Sequence, residues 1–372
     1  MKLVVRNFFK AFLQNIFLPI IYFMFCYQKI DNNLVIFADA KSNGINYSIF
    51  SIYKAVKKRN YNIKIHNVNY SELNFLEKIK YIMRFMHDYA KAKVVFINDY
   101  FLPVASCNKR EKTIVVQLWH ASGVLKKFGY DVAEDLGNGF SSLCPTKNWN
   151  YVTVSSKYCI PFFQKAFRLY GDQVVDTGSS RTDIFFDSNF QEICKKEFYE
   201  TYPEYIGKKI ILWAPTFRGD VTNYDVEGIE EIKRLMKQLP EDYKVIIKLH
   251  PRIKNNGDIE QCDFDTDRLY AVTDLLITDF SSIIFDFILL KKKIIFFSTD
   301  YDYYLAQRGL YIDIEKNFNI PVIKSVDNLC KAVIETMGKE LDKHDYEKYI
   351  KLFLDKCDGK ASQRILNLID QD

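Results

Sequence analysis

Short apolar runs alternate with amphipathic stretches along the chain from residue 33 onward. The apolar runs predict strands at 34–39, 62–68, 92–99, 113–120, 151–156 and 173–178. Amphipathic stretches predict helices at 46–59, at 71–90 and between the last two strands to about 170. Strands that alternate with helices form a parallel sheet, because each helix returns the chain to the start of the next strand. The first half of the chain is therefore predicted to be a βαβ-type unit.

The same pattern restarts after about residue 186. Strands are predicted within 208–218, 243–252, 274–282 and 292–297, and helices at 190–201, 226–238, 325–337 and 346–368. We therefore expect an α/β protein with two Rossmann-like domains, 31–185 and 186–345, whose parallel sheets face a cleft. A C-terminal helix, 346–372, follows them. Ligands of such sheets lie at the carboxyl ends of the strands.

The N-terminal segment 1–30 has a different pattern. An apolar, aromatic run from Ile16 to Tyr27 is too short to span a bilayer, and Pro19 interrupts it. Cations flank the run at Lys2, Arg6, Lys10 and Lys29. This pattern is typical of a helix that lies in a membrane interface, and a helix packed on the protein's own core is the alternative.

Composition narrows the class of protein. The 372 residues are 48% apolar and 27% charged, with a formal net charge of +5, which is typical of a folded globular protein. The positive charges are scattered, so no nucleic-acid partner is indicated. The eight cysteines show no C-x-x-C or zinc-ligand spacing, and there is no cleavable signal peptide. We therefore expect reduced thiols in the cytosol, and neither a metal site nor a cofactor is indicated.

Polar side chains follow nearly every apolar run, where the predicted strands end. These residues are His120, Ser122, Lys126, Thr216, Arg218, His250, Arg252, Asp279, Ser281 and Ser282. Strand ends of a parallel sheet share one edge, so residues distant in sequence meet there. Cations and hydroxyls can hold a diphosphate, and a neutral imidazole can take a proton from an attacking hydroxyl. The set therefore suits chemistry on a diphosphate ester.

Ser281 and Ser282 stand between a predicted strand and the helix SIIFDFILL. They are ordinary helix caps in one interpretation, and part of a phosphate site at the helix N-terminus in the other. Asp286 lies one helical turn after Ser282, so its carboxylate is a candidate to receive ribose hydroxyls. A solvated helix residue is the alternative for Asp286, although its neighbours are apolar.

Several enzyme classes lack their motifs in this chain. There is no G-x-x-x-x-G-K-[ST], so a P-loop NTPase is not indicated. No G-x-G-x-x-G opens the first sheet, so a dinucleotide dehydrogenase is not indicated either. The nucleophile elbow G-x-S-x-G of serine hydrolases is also absent.

Six segments resemble, in the same order along the chain, those of the CDP-glycerol glycerophosphotransferase family. This family contains the teichoic-acid primases and polymerases of Gram-positive cell walls. The six segments are QLWHASGVLKKFG (117–129), TGSSRTD (177–183), ILWAPTFRGD (211–220), IIKLHPRI (246–253), ITDFSSIIFD (277–286) and RGLYID (308–313). The resemblance spans roughly 110–340. It implies a GT-B-like fold, a CDP-alditol in the C-terminal domain, and membrane association through the N-terminus.

The resemblance also assigns roles to residues. The family's two histidines fall on His120 and His250, its serine pair on Ser281 and Ser282, and its arginine on Arg308. The family usually has glycine-threonine after the first histidine, where this chain has Ala121-Ser122.

The interpretation that follows is a phosphotransferase bound peripherally to the cytoplasmic face of the cell membrane. It transfers glycerol phosphate from CDP-glycerol to an undecaprenyl-diphosphate-linked acceptor and releases CMP. His120 is the expected base, and His250 acts on the diphosphate. The donor is held by Thr216, Arg218, Arg252, Ser281, Ser282, Asp286 and Arg308, with Ser122 and Lys126 as further candidates for the acceptor or a phosphate. The alternatives are a CDP-ribitol donor, a GT-B glycosyltransferase that uses a nucleotide sugar, and a non-catalytic scaffold.

Overall fold

The chain forms two compact α/β units in a computed structural model that describes residues 11–132, 144–220, 223–250, 253 and 261–370. The first unit contains Met1–His120, Phe128–Asp183 and Lys356–Asp372, and the second contains Ala121–Lys127 and Ile184–Asp355. Residue 120 is thus the last residue of the first unit before the chain enters the second.

The first unit is built on a six-stranded parallel sheet with the order β2-β1-β3-β4-β5-β6. Its strands are β1 Asp31–Asp39, β2 Asn62–Asn67, β3 Ala92–Ile97, β4 Ile114–Gln117, β5 Tyr151–Thr153 and β6 Val174–Val175. The connecting helices are Tyr47–Lys57, Phe75–Tyr89, Leu102–Ala105 and Ile160–Phe167. Helix Phe75–Tyr89 begins where Asn74 and Glu77 each accept the other's backbone N–H, which satisfies two unpaired donors.

The second unit is built on a five-stranded parallel sheet with the order β10-β7-β11-β12-β13. Its strands are β7 Lys209–Ala214, β10 Tyr243–Ile247, β11 Leu275–Thr278, β12 Lys293–Phe297 and β13 Val322–Ile323. An antiparallel hairpin, β8 Phe217–Asp220 and β9 Asn223–Val226, follows β7. The helices are Ser188–Thr201, Ile229–Gln238, Thr266–Leu269, Ile283–Leu289, Tyr301–Gln307, Ile314–Asn317, Leu329–Gly338 and Lys343–Phe353.

The predicted fold class is confirmed, since each unit has the alternating strands and helices of a Rossmann-like sheet. The predicted domain limits stay a prediction, and the compact units have other edges. Residues 121–127 belong to the second unit. There the backbone oxygen of Leu125 accepts the backbone N–H of Tyr311 at 2.7 Å, and Lys126 forms an antiparallel β-bridge with Leu310.

The single C-terminal helix predicted at 346–368 is wrong. The structure has two helices there, Lys343–Phe353 in the second unit and Ala361–Asp370 in the first. The first of these helices has its C-cap at Leu354, and the break that follows includes Gly359, whose φ of +82° is a left-handed conformation that glycine adopts without strain. Ile365, Leu366 and Ile369 then join the core of the first unit.

The described part of the N-terminal segment contains a π-helical turn, Leu13–Phe17, followed by helix Leu18–Phe25, whereas Lys2, Arg6 and Lys10 lie outside the described residues. Leu18, Ile21 and Tyr22 are buried, and the ring of Tyr22 lies 5.0 Å from that of Tyr89. Ile20, Phe23 and Met24 are exposed. One face of the helix therefore packs on the protein, and the other carries apolar side chains into solvent. Across the described residues, no helix has the length and apolar content needed to cross a membrane. The interface role stays a prediction.

Candidate active site

His120 stands two residues beyond the end of β4, on a turn that the side chain of Gln117 fixes. The amide of Gln117 donates to the backbone oxygen of Asp99 at 3.0 Å and accepts the backbone N–H of Trp119 at 3.0 Å. Trp119 has a φ of +57°, a conformation that is strained for a residue with a side chain. The ring of Trp119 packs 4.4 Å from the imidazole and 4.9 Å from Phe167. This turn holds the imidazole at the carboxyl edge of the sheet.

Two oxygen atoms face the imidazole nitrogen Nδ1 of His120. The backbone oxygen of Asn98 lies 3.3 Å away, and Oδ2 of Asp99 lies 3.7 Å away. Lys41, in the loop after β1, forms an ion pair with the same carboxylate. The imidazole remains 46% exposed. Partial loss of water lowers the pKa of His120 and the charge of Asp99 opposes this effect. Burial alone would raise the pKa of Asp99, but the charges of His120 and Lys41 hold it below its ordinary value.

In the second unit, Arg218 is the centre of an ion-pair network. It donates to both carboxylate oxygens of Asp300, at 2.6 and 2.8 Å, and to the backbone oxygen of Thr216 at 3.0 Å. Its third partner is Asp279, at 2.9 Å. Loss of water would lower the pKa of Arg218, but these two carboxylates raise it above its ordinary value. Most of its N–H groups therefore bond to the protein itself.

The buried carboxylate of Asp279 ties the end of β11 to the end of β7. Its Oδ1 accepts the backbone N–H of Thr216 at 2.7 Å. Burial raises the pKa of Asp279, although Arg218 opposes this rise. The guanidinium of Arg218 also lies 4.7 Å from the ring of Tyr304, which stacks on Phe280 at 3.9 Å. An acid that immediately follows β11 thus fixes the turn that carries Thr216 and Arg218, and the donor-binding role of these two residues stays a prediction.

Ser281 and Ser282 precede helix Ile283–Leu289, and both are half-buried. The side chain of Ser282, at the N-cap position, makes no capping hydrogen bond. Ser281 Oγ accepts the backbone N–H of Ile283 at a long 3.5 Å. The hydroxyls are therefore weakly engaged as caps, and their phosphate-binding role stays a prediction.

Asp286 lies in the core of the second unit. It is 1% exposed, and its Oδ2 accepts the hydroxyl of Tyr270 at 3.2 Å. Helix Ile283–Leu289 turns this residue inward together with Phe285 and Phe287, so the alternative of a solvated helix residue is wrong. The ribose-binding role stays a prediction, and burial of the carboxylate does not favour it.

The segment after His120 packs against the stretch that contains Arg308. Arg308 Nε donates to the backbone oxygen of Lys127 at 3.3 Å, and Lys127 donates its backbone N–H to Gly309 at 3.2 Å. Ser122 is buried, whereas Lys126 is half-buried. Gly123, with a φ of +65°, makes the close approach in this segment, because a Cβ there would lie 2.5 Å from the ring of Phe285. The close approach of the backbone in this segment is therefore made at Gly123, directly after Ala121-Ser122.

The second histidine follows β10. The ring of His250 lies 4.9 Å from that of Phe217, which stands between Thr216 and Arg218 in the sequence. His250 is half-buried. Arg252 lies outside the described residues.

Sequence reasoning missed the acids and the lysine that support these groups. Asp99 is the last residue of a predicted strand, Asp300 follows another, and Lys41 follows the first, and these positions at strand ends were the available signal. Among the described residues, no three His, Cys, Asp or Glu side chains are grouped as metal ligands would be.

The two units define a class of protein with two Rossmann-like domains and polar groups at their strand ends, as in GT-B-like enzymes. A family model for CDP-Glycerol:Poly(glycerophosphate) glycerophosphotransferase matches residues 20–371. The chain belongs to this family.

Curated relatives include teichoic acid enzymes for both alditols. A glycerol-phosphate primase of Bacillus subtilis is 34% identical over 75% of this chain and 74% of its own length. A ribitol-phosphate primase of Bacillus spizizenii is 32% identical over 76% of each chain. A poly(ribitol-phosphate) polymerase of the same organism is 30% identical over 94% of this chain, which spans 58% of that relative's length.

Solved structures show the same fold. A variant of the wall teichoic acid polymerase TagF has a TM-score of 0.75 at 21% identity, covering 99% of this chain and 97% of its own. A UDP-GlcNAc 2-epimerase of Methanocaldococcus jannaschii has a TM-score of 0.57 at 14% identity, covering 91% of this chain and 99% of its own.

Proposed function

We propose that the protein transfers glycerol phosphate from CDP-glycerol, or ribitol phosphate from CDP-ribitol, to a hydroxyl of a lipid-linked acceptor. The acceptor oxygen forms a bond to the phosphorus that carries the alditol, and the bond from that phosphorus to the CMP oxygen breaks. CMP leaves with the bridging oxygen. The acceptor's proton passes to His120.

The exposed, carboxylate-backed imidazole of His120 carries this proposal. Its lowered pKa keeps the ring neutral near pH 7, which is the state that a general base needs. The family match over residues 20–371 supports the donor class, and both alditols stay in the proposal because the relatives include both glycerol and ribitol enzymes.

The second unit supplies the donor site in this proposal. His250, beside the turn that carries Thr216 and Arg218, neutralises the diphosphate or protonates the departing phosphate. The network of Arg218 with Asp279 and Asp300 fixes that turn, so Arg218 acts by positioning and offers the diphosphate few further N–H groups. The further candidates for holding the diphosphate are Arg252, Ser281, Ser282, Arg308 and Lys126.

We propose that the protein binds peripherally to the cytoplasmic face of the cell membrane. Support comes from helix Leu18–Phe25, where Phe23 is 79% exposed and Met24 is 64% exposed. Apolar side chains of this size at the surface suit the boundary between lipid headgroups and acyl chains. An acceptor anchored in the same membrane would then meet the enzyme at that surface.

The test is CMP release with a synthetic undecaprenyl-diphosphate disaccharide and each CDP-alditol in turn. We expect CMP from one of the two donors, and transfer of the alditol phosphate to the acceptor seen by mass spectrometry. His120→Ala should lower turnover by about 10²–10⁴ while donor affinity changes little. His250→Ala should lower turnover and donor affinity together, because His250 touches the donor before and during the reaction.

A folded His120→Ala protein that binds the donor and transfers at the wild-type rate would contradict the mechanism. Transfer of a sugar from a nucleotide sugar, with no reaction of either CDP-alditol, would contradict the function.

A further inference from the structure

We propose that Asp99 is a positioning residue that holds His120 with its proton on Nδ1 and the lone pair of Nε2 free, and that Lys41 tunes this carboxylate. The inference rests on the proposed function, in which His120 is the base, and it names the atom that accepts the proton.

The contacts of the imidazole assign the tautomer. Nδ1 faces the backbone oxygen of Asn98 at 3.3 Å and the carboxylate of Asp99 at 3.7 Å. A carbonyl oxygen and an ionised carboxylate only accept hydrogen bonds. Nδ1 must therefore carry the hydrogen in the neutral ring, and the basic lone pair belongs to Nε2.

Asp99 is itself held in place. Its Oδ1 accepts the backbone N–H of Tyr100 at 2.7 Å, and its backbone oxygen accepts the side chain of Gln117 at 3.0 Å. The carboxylate is only 13% exposed. Because Gln117 also binds the backbone of Trp119, one amide fixes both the acid and the turn that carries the imidazole.

The proton balance follows from this arrangement. When Nε2 takes the acceptor's proton, the ring becomes an imidazolium with a hydrogen on each nitrogen. The Nδ1 hydrogen still faces Asp99, whose negative charge stabilises the new cation. Asp99 neither gains nor loses a proton. Lys41 has the opposite electrostatic effect, because its ammonium neutralises part of the charge that Asp99 presents to the ring.

Three charged groups from separate elements act on the imidazole. Asp99 follows β3, Lys41 follows β1, and Arg181 lies in the 3₁₀ helix Ser180–Phe186. Asp99 raises the pKa of His120, whereas Lys41 and Arg181 lower it. Removal of Asp99 and removal of Lys41 therefore have opposite effects, and this opposition separates an electrostatic role from damage to the fold.

The experiment compares wild type with Asp99→Asn and Lys41→Gln in the full chain. NMR of ring nitrogens and carbons follows the titration and tautomer of His120, and the signal is identified by its loss in His120→Ala. We expect the His120 pKa to fall in Asp99→Asn and to rise in Lys41→Gln. We also expect a larger fraction of the tautomer protonated on Nε2 in Asp99→Asn.

Activity provides a second measurement. Turnover in Asp99→Asn should fall by about 10²-fold, the lower end of the range expected on loss of the imidazole. The rate falls as pH drops through the His120 pKa, because a protonated ring accepts no proton. That acid limb should move to lower pH in Asp99→Asn and to higher pH in Lys41→Gln.

Asp131→Asn is the matched control, because Asp131 belongs to the same unit, is also 13% exposed, and pairs with Lys165 at 3.3 Å. It should leave the His120 titration unchanged. A titration and tautomer of His120 that are the same in Asp99→Asn as in wild type would overturn the positioning role. The NMR arm uses no substrate, so absence of transfer by the wild type would count against the proposed function alone.

Discussion

Arg218 donates to both carboxylate oxygens of Asp300, at 2.6 and 2.8 Å, in a two-point pair that joins the hairpin strand β8 to the end of β12. A lysine has the charge but not the planar fork that this geometry needs. We therefore expect Arg218→Lys to lower the free energy of unfolding by about 1–3 kcal/mol, the scale of lost charged hydrogen bonds. Chemical denaturation would measure it.

Arg234→Lys is the control for this substitution. Arg234 faces Asp327 at 3.7 Å, and both side chains are exposed, so the change should cost less than about 0.5 kcal/mol. Equal stability losses in the two variants would contradict a special role for the Arg218 network.

The same pair makes stability depend on pH. Burial would raise the pKa of Asp300, but its bonds to Arg218 hold the pKa below the ordinary value of an aspartate. A carboxyl group with a lowered pKa in the folded state contributes stability above its unfolded pKa and loses it as pH falls through the folded one. Asp300→Asn should therefore lower stability at pH 7 and weaken its decline in acid. Thermal unfolding from pH 7 to pH 3 tests this, and parallel curves for the two proteins would contradict it.

Gly123 is expected to tolerate no side chain. Gly123→Ala places a Cβ 2.5 Å from the ring of Phe285, in addition to the strain of its positive φ. Gly207→Ala is the matched control, with a φ of +73° and no atom within 4 Å of the new Cβ. The control should cost about 1–2 kcal/mol from backbone strain. Gly123→Ala should cost a further ~1–3 kcal/mol from overpacking, and equal costs would refute the steric argument.

Ser281 and Ser282 should separate donor binding from stability. Because Ser282 makes no capping bond and Ser281 only a long one, replacing both with alanine should change the melting temperature little. Affinity for CDP-glycerol, measured by calorimetry, should fall by about 1–3 kcal/mol if both hydroxyls bind phosphate. Unchanged affinity with a lower melting temperature would return the serines to a capping role.

The membrane prediction needs substitution rather than deletion. Removing the N-terminal helix would also strip Leu18, Ile21 and Tyr22 from the core. Ile20→Ser with Phe23→Ser changes only exposed side chains and should reduce sedimentation with anionic vesicles. Phe186→Ser, at another exposed phenylalanine, is the control and should sediment as wild type does. Equal binding by the double variant would contradict the interface role.

The sequence pattern predicted most of the strands and the line of polar residues at their ends. Apolar runs such as 113–120 and 274–282 are local signals, and they place His120 and Ser281 at strand ends without further information. The partners of these residues were harder to predict. Asp300 reaches Arg218, and Asp99 reaches His120, only after folding brings distant strand ends together.

Two other differences have local causes. Asp286 is buried in the same helix as Phe285 and Phe287. Its spacing from Ser282 alone did not decide whether its side chain would face the core or solvent. The turn at Gly359 lies within a charged amphipathic stretch whose periodicity continues on both sides, so the helix break was missed.

The return of the C-terminal helix to the first unit has a consequence for synthesis of the protein. A ribosome releases residues 121–127 and 184–355 before the last residues emerge, so the second unit has its whole sequence available first. The first unit, although it starts earlier, must wait for Ile365, Leu366 and Ile369 to close its core beside Val56. Until then the apolar side chains of that core remain exposed, and a variant that lacks helix Ala361–Asp370 would have a damaged unit around His120.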